Sequence, residues 1–309
     1  MATRCVVCGE PAASVVGRRL VRRGTTETPL ELRRCATCST VYASTWEAEF
    51  PAELYDYYRQ LEGKPRAELY DPINESRYDT LLEELGRLVS GRRLLDVGCG
   101  IGQWVDAASR RGWDASGIEL AEGAVRVAQS VGARVERLPL ESELLDRGAY
   151  DVVTMFEVIE HVPAPRAFLR RAAELLRPGG VLLMTTPNFR SIDRLAAGDE
   201  WGVIHPEHYS YFTPTTARAL VQSTALLTVL RLQTQNVSPS LLVQRLRRGP
   251  GARDRGGAEV AASPVATDQA LRGTIERSLP LRLAKGAVNR LLDAAGIGSA
   301  MTVWCRRME

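Results

Sequence analysis

Residues 92–104 read Arg92-Arg93-Leu94-Leu95-Asp96-Val97-Gly98-Cys99-Gly100-Ile101-Gly102-Gln103-Trp104, an apolar strand that runs into a glycine turn and then into a helix start. The alternation continues downstream. Helical spacing covers 103–111, a second strand over 113–118 ends at Glu119, and a second helix spans 121–131. Tyr150–Phe156 is an apolar strand, 165–176 an amphipathic helix closed by Pro178-Gly179-Gly180, and 181–185 another strand. Strand, helix and strand at this repeat length predict an α/β fold with a doubly wound, Rossmann-like, mostly parallel sheet.

In such sheets ligands bind beyond the carboxyl ends of the strands, near the point where strand order reverses. The glycine turn sits there. A dinucleotide fingerprint, G-x-G-x-x-G, would place a pyrophosphate over the helix start. This chain has Gln103 at the third glycine, and its pattern is Gly98-x-Gly100-x-Gly102. Gly98 and Gly100 allow close backbone approach to a ligand without phosphate, and Glu119 can accept from two ribose hydroxyls. Adenosine without pyrophosphate fits that combination.

The composition agrees with an ordinary globular chain: 309 residues, 45% hydrophobic and 25% charged, which excludes disordered and membrane-spanning classes. The net charge of +3 comes from 38 arginines and two lysines. The densest arginine runs, 18–23 and 245–255, contain no aromatic residue, so they read as solvated surface and imply no nucleic acid. No stretch reaches the ~18 apolar residues of a membrane span, and MATRCVVCGE carries no apolar signal core. A cytoplasmic protein without membrane association is expected, as monomer or homodimer.

Four of the six cysteines form Cys5-x2-Cys8 and Cys35-x2-Cys38, with 26 residues between the pairs. Each pair can place two thiolates on one tetrahedral ion while the intervening chain returns as a hairpin, which predicts a structural Zn2+ ribbon. Two disulfides are the competing reading, and the lack of a secretion signal weighs against them. A segment of about 40 residues buries too little apolar surface to fold unaided, and metal binding would supply the difference. Cys99 and Cys305 read as buried small residues.

The expected organisation is a zinc ribbon over 1–45, a helical linker or cap over 46–90, a cofactor-binding core over 91–235, an insertion over 236–299 and a last core strand over 300–309. Leu81, Leu82, Leu85 and Leu88 mark a packed helix face. Tyr55, Tyr57 and Tyr58 either pack the cap or line a substrate pocket. A helix is expected over 214–226, strands over 227–233 and 300–306, and another helix over 282–295. Within the insertion, 245–266 reads as an irregular loop, and the whole segment serves either as a lid over substrate or as an oligomer contact.

LLDVGCGIGQW (94–104), GIEL (117–120), YDVVTMFEVIEHV (150–162) and LLRPGGVLLMTTPN (175–188) resemble the class I S-adenosylmethionine-dependent methyltransferases. The closest subfamily likeness is to the ubiquinone-biosynthesis O-methyltransferases. Many natural-product and saccharide methyltransferases of similar sequence also begin with a CxxC...CxxC ribbon. The resemblance implies an antiparallel last strand and S-adenosyl-L-methionine as cofactor. It implies that the turn from Asp96 through Gly98 and Gly100 packs on the methionine moiety, that Glu119 and Leu120 meet the ribose side, and that Phe156 flanks the cofactor. It further implies that Arg77 holds the cofactor carboxylate, a surface helix arginine being the competing reading. The family often has an acid for the adenine amine after the third strand; here the chain reads Val135-Glu136-Arg137-Leu138-Pro139-Leu140-Glu141, which leaves Leu140 or Glu141 for that contact.

Glu157, Glu160 and His161 follow a strand end at i, i+3 and i+4, and a helical turn there would gather all three on one face. One reading is capping and hydrogen bonding at a strand-to-helix junction. The other is a divalent cation site, because the ubiquinone O-methyltransferases and the small-RNA 2'-O-methyltransferases have E-x-x-E-H here as metal ligands, the latter with a further downstream histidine. His205 and His208 supply candidates for that histidine. The resemblance points to Glu157, Glu160, His161 and His208 around Mg2+ or Mn2+, with His205 as general base, and makes all three histidines candidates for catalysis. The expected reaction is O-methylation of a small-molecule hydroxyl on a sugar, polyketide, phenol or other specialised metabolite. C-methylation of a nucleotide sugar and 2'-O-methylation of RNA are the alternatives.

Overall fold

Near-continuous burial along 93–97, 114–118 and 150–156 means that both faces of each strand are covered, and helices cover them in the computed structural model, which describes residues 4–23, 26–44, 52–198, 201–241, 243 and 278–309. The amino-terminal hairpin pairs β1 (Ala13–Arg23) with β2 (Thr26–Cys35), and β3 (Val41–Ala43) follows. Three helices lead to the core: α1 (Ala52–Leu61), α2 (Arg66–Leu69) and α3 (Ile73–Leu88). The first repeat is β4 (Arg93–Val97), α4 (Gln103–Arg110), β5 (Asp114–Ile118), α5 (Glu122–Ser130) and the two-residue β6 (Val135–Glu136). The second comprises β7 (Tyr150–Phe156), a 3-10 turn at Ile159–His161, α6 (Pro165–Leu175), β8 (Leu176–Pro187) and α7 (Ile192–Ala197). After them come β9 (Ser210–Tyr211), α8 (Pro214–Ser223), β10 (Leu227–Gln235), α9 (Leu279–Ala295) and β11 (Ala300–Arg307).

The large sheet has the order β10-β11-β8-β7-β4-β5-β6, with β11 antiparallel to both neighbours and the pairs from β8 to β6 parallel. The switch point falls between β4 and β7, where Asp96 pairs with Thr154. This is the expected doubly wound fold with its antiparallel last strand. Differences are local. The strand after α6 begins at Leu176, because Leu176 already pairs with Tyr150. Helix α8 stops at Ser223, since the Thr224 hydroxyl donates to the Val221 carbonyl at 2.7 Å and Ala225 turns the chain at φ 56.

The second sheet has the order β1-β2-β3-β9, all antiparallel. Its fourth strand comes from the loop that carries His205 and His208, about 170 residues after the hairpin. Leu30, Leu32, Val41, Trp201, Ile204 and Tyr211 are buried together between hairpin and loop, so the ribbon shares a core with the candidate site.

Between β10 and β11 the described residues, 236–241, 243 and 278–299, add no strand to the sheet. Both ends meet on α7: Asp193 accepts from the Ser238 backbone N–H at 3.0 Å and from the Ser299 hydroxyl. The loop expected over 245–266 lies outside the described residues. Among the described residues, no helix is long and apolar enough to cross a membrane.

Candidate active site

The turn after β4 places Gly98, Gly100 and Gly102 at φ 68, 53 and 76, a region that strains any residue with a Cβ. Their surroundings differ. A Cβ on Gly98 would lie 2.7 Å from Val158 Cγ2, and one on Gly102 would lie 2.9 Å from the Ala133 Cβ, so these two glycines serve packing. A Cβ on Gly100 would meet nothing within 4 Å. Gly100 is therefore the member of the turn that leaves backbone open to a ligand.

Glu119 is locked beside it. Oε2 accepts from the Gly100 N–H at 2.9 Å, and Oε1 accepts from Leu120 and Ala121 at 2.7 and 2.9 Å. Both oxygens are oriented by backbone and keep lone pairs for hydroxyl donors. Leu120 is exposed at the rim. Asp96 is buried, accepts from the Thr154 hydroxyl at 2.6 Å, and is pushed up to about 7 by burial, with Glu119 adding to the shift. Trp104 donates to the same hydroxyl at 3.0 Å and meets Phe156 edge-on, centroids 5.3 Å apart.

Arg77, on α3, is exposed, and its charge opposes the upward, burial-driven shift of the Glu157 carboxyl. The Leu140 side chain is buried in the core, and its carbonyl accepts from Arg171 Nε at 3.2 Å; Glu141 is exposed. Tyr58, one of the tyrosines read as packing the cap or lining a pocket, stands near Glu119: burial, with the Glu119 charge adding to it, pushes its phenol up to about 12, and α1 packs so closely on α5 that a Cβ on Gly123 would lie 2.8 Å from Tyr58 Cβ.

At the ends of β7 and β8 the chain does not continue as an α-helix. Glu157 takes φ 54 and donates its N–H to the Thr185 carbonyl at 3.1 Å, and only then does the 3-10 turn carry Glu160 and His161. The i, i+3, i+4 face therefore does not form. One ligand atom from each of Glu160, His161 and His208 lies within 4.8 Å of the others, and Glu157 is outside that group. The rings of His161 and His208 meet edge-on at 4.5 Å, whereas His205 stands 6.2 Å from His208 with Nδ1 3.6 Å from Glu207 Oε2.

The cluster grades from interior to surface. Glu160 is 2% exposed, His208 is half-buried and His161 is exposed, its Nδ1 3.2 Å from the Glu207 carbonyl. Burial raises Glu160 well above the carboxylate range, Glu157 adding to it; burial, with the neighbouring imidazoles adding, takes His208 down to about 3, so its ring keeps a free lone pair near neutral pH. Glu160 Oε2 accepts from Thr186 at 2.9 Å, while Oε1 has no partner. Nδ1 of His208 and Oγ of Ser210 are likewise buried without hydrogen bonds. All three residues line one gap with Val203 and Tyr211 that is too tight to admit a water molecule. Orphaned buried polar atoms are costly, and Glu160 and His208 belong to a group whose ligand atoms lie close enough together for one cation to satisfy them.

In the ribbon, the four Sγ atoms of Cys5, Cys8, Cys35 and Cys38 lie within 4.8 Å of one another, the Cys5–Cys38 and Cys8–Cys35 pairs at 3.6 and 3.5 Å. Tetrahedral zinc with Zn–S of about 2.3 Å would set such edges near ~3.8 Å. Burial opposes ionisation of Cys35, yet N–H bonds from Cys38 and Thr37 bring it down to about 7. The cluster is arranged like a zinc-binding motif.

Residues 70–226 match the family described as methyltransferase domain. The ubiquinone biosynthesis O-methyltransferase of Bordetella avium is 40% identical over 123 residues, 38% of this chain and 51% of that protein. The enzyme of the same name from Albidiferax ferrireducens is 36% identical over 160 residues, covering 48% and 61%. The chain thus spans about half the length of the curated relatives it matches. A crystal structure of a SAM-dependent methyltransferase from Archaeoglobus fulgidus has a similar fold, with a TM-score of 0.51 at 14% identity, covering 82% of this chain and 99% of that one. With the glycine turn, the locked Glu119 and the strand order in place, the chain belongs to the methyltransferase-domain family, as a class I S-adenosylmethionine-dependent methyltransferase related to the ubiquinone-biosynthesis O-methyltransferases.

Proposed function

We propose that this protein transfers a methyl group to a hydroxyl of a small molecule, with Glu160, His161 and His208 as the side chains of the reacting end. The observation that carries this reading is the gathering of ligand atoms of Glu160, His161 and His208 within 4.8 Å at the strand ends, with buried atoms of Glu160 and His208 left without hydrogen bonds. S-adenosylmethionine supplies an electrophilic methyl on a sulfonium, so the protein's task is to hold the acceptor oxygen in line and take its proton. Gly100 leaves the backbone open to the cofactor, Glu119 takes its ribose hydroxyls, Arg77 its carboxylate, and Phe156 its flank. Leu140 can reach the adenine only through its backbone, because its side chain is buried.

Glu160, His161 and His208 would hold a divalent cation such as Mg2+ or Mn2+, which supplies Lewis acidity that lowers an acceptor hydroxyl's pKa. Glu157 stands next to this set, in electrostatic contact with Glu160, and can reach the acceptor or the cation from the strand end. His205, outside the set, would serve as the base that removes the proton, with Glu207 Oε2 3.6 Å from its Nδ1. The four thiols hold a structural zinc, and clustered free thiols fit a reducing, cytoplasmic setting.

The test measures S-adenosylhomocysteine release with pairs of acceptors that differ only in a free or O-methylated hydroxyl, with and without EDTA. Turnover confined to the free hydroxyl and restored by Mn2+ after chelation supports the reading. Turnover of both members of a pair, unaffected by EDTA, contradicts it.

A further inference from the structure

The loop that delivers His208 has little regular structure of its own. Between α7 and β9 its backbone closes on itself through short-range bonds, Ile204 N–H to the Trp201 carbonyl at 2.9 Å and His208 N–H to the His205 carbonyl at 3.0 Å. Such turns fix local shape and leave open where the loop stands relative to Glu160. Its far end is tied: Tyr209 donates to the Glu160 carbonyl, and β9 pairs with β3. Its near end needs a separate tie.

That tie comes from the ribbon hairpin. Arg19, on β1 opposite Leu30, reaches across with a single guanidinium nitrogen to the carbonyls of Trp201 at 3.1 Å and Ile204 at 3.4 Å. Its charge also acts on the Tyr211 hydroxyl, which donates to the His205 carbonyl at 3.2 Å and accepts the His205 N–H at 3.3 Å. Charge-assisted bonds to carbonyls are the stronger kind, and these two hold the turn directly before both loop histidines. Leu30 and Trp201 bury the interface beneath them.

We propose that Arg19 is a positioning residue for the methyl-transfer site: it sets the His205–His208 turn against Glu160 from a domain that itself holds no reacting group. This rests on the reading of Glu160, His161 and His208 as that site. Because both bonds leave one nitrogen, a lysine ammonium can supply them, whereas a glutamine is too short to span the gap.

The experiment compares wild type, Arg19→Gln and Arg19→Lys by hydrogen–deuterium exchange over 201–209, by kcat and KM for S-adenosylmethionine, and by S-adenosylhomocysteine affinity. In Arg19→Gln the loop amides exchange about tenfold faster, kcat falls at least ~tenfold, and cofactor KM and homocysteine-product affinity stay at wild-type values. Arg19→Lys recovers both exchange and kcat, which a general folding defect would not allow. Unchanged exchange in Arg19→Gln overturns the positioning role whatever the activity. Faster exchange with unchanged kcat instead overturns the reading of the histidine loop as part of the site, and Arg19's part in the reaction with it.

Discussion

The backbone N–H of Tyr209 donates to the carbonyl of Glu160 at 2.7 Å, and Tyr209 passes its own carbonyl to the N–H of Ala43 at 3.0 Å. The backbones of Ala43, in the ribbon, and Glu160, in the core, are thus two hydrogen bonds apart. The amino-terminal module is bonded to the strand that follows the histidine loop rather than being an appendage.

Loss of the zinc proposed for the ribbon should therefore reach the site. Cys8→Ser is expected to lower zinc below one ion per chain, to free β9 from β3 and to cut kcat, while S-adenosylhomocysteine binding at the ends of β4 and β5 holds. Metal analysis with calorimetric titration of the product checks both halves. Intact turnover in a zinc-free variant would count against the coupling.

The two glycines of the turn should separate packing from binding. Gly98→Ala combines a strained φ with a 2.7 Å approach to Val158, and about 1–3 kcal/mol of stability should be lost. Gly100→Ala carries a similar strain but meets no protein atom, so its stability loss is about 1–2 kcal/mol and its larger effect is weaker cofactor binding. Thermal melts and product titrations read the difference.

Those glycines also show what was legible in the sequence. The core was readable because strand and helix periods, the G-x-G-x-G turn and Glu119 are local signals. Non-local features were not. Nothing within the stretch Tyr209-Ser210-Tyr211 announces a strand, because its partner β3 lies far away in sequence. Likewise, a run of arginines at 18–23 reads as solvated surface until the fold brings Arg19 against Trp201. Glu157 illustrates a third limit: E-x-x-E-H spacing suggests one helical face, but β7 ends in a left-handed residue and removes it.

Asp96 predicts a pH dependence of stability. Its folded pKa, about 7, lies above the ordinary aspartate value, so the folded state binds the extra proton in between. Its contribution is favourable at low pH and is lost as pH rises through about 7. Asp96→Asn keeps an acceptor for Thr154 and does not ionise. The melting temperature of the variant should therefore rise relative to wild type between pH 5 and pH 8; a constant difference would contradict the assignment.

Arg77→Gln should weaken S-adenosylhomocysteine binding roughly tenfold, the scale of one charge-assisted contact, with no change in melting temperature, since Arg77 is exposed. Equal affinity in variant and wild type would return Arg77 to an ordinary surface residue.

The central claim is that Glu160 and His208 form the working end of the site. Titration of Mn2+ followed by electron paramagnetic resonance, on protein already saturated with S-adenosylhomocysteine, addresses it most directly. The account predicts one bound Mn2+ per chain, lost in Glu160→Gln and in His208→Asn while the product stays bound. Mn2+ binding that is absent from wild type, or identical in wild type and both variants, would contradict it.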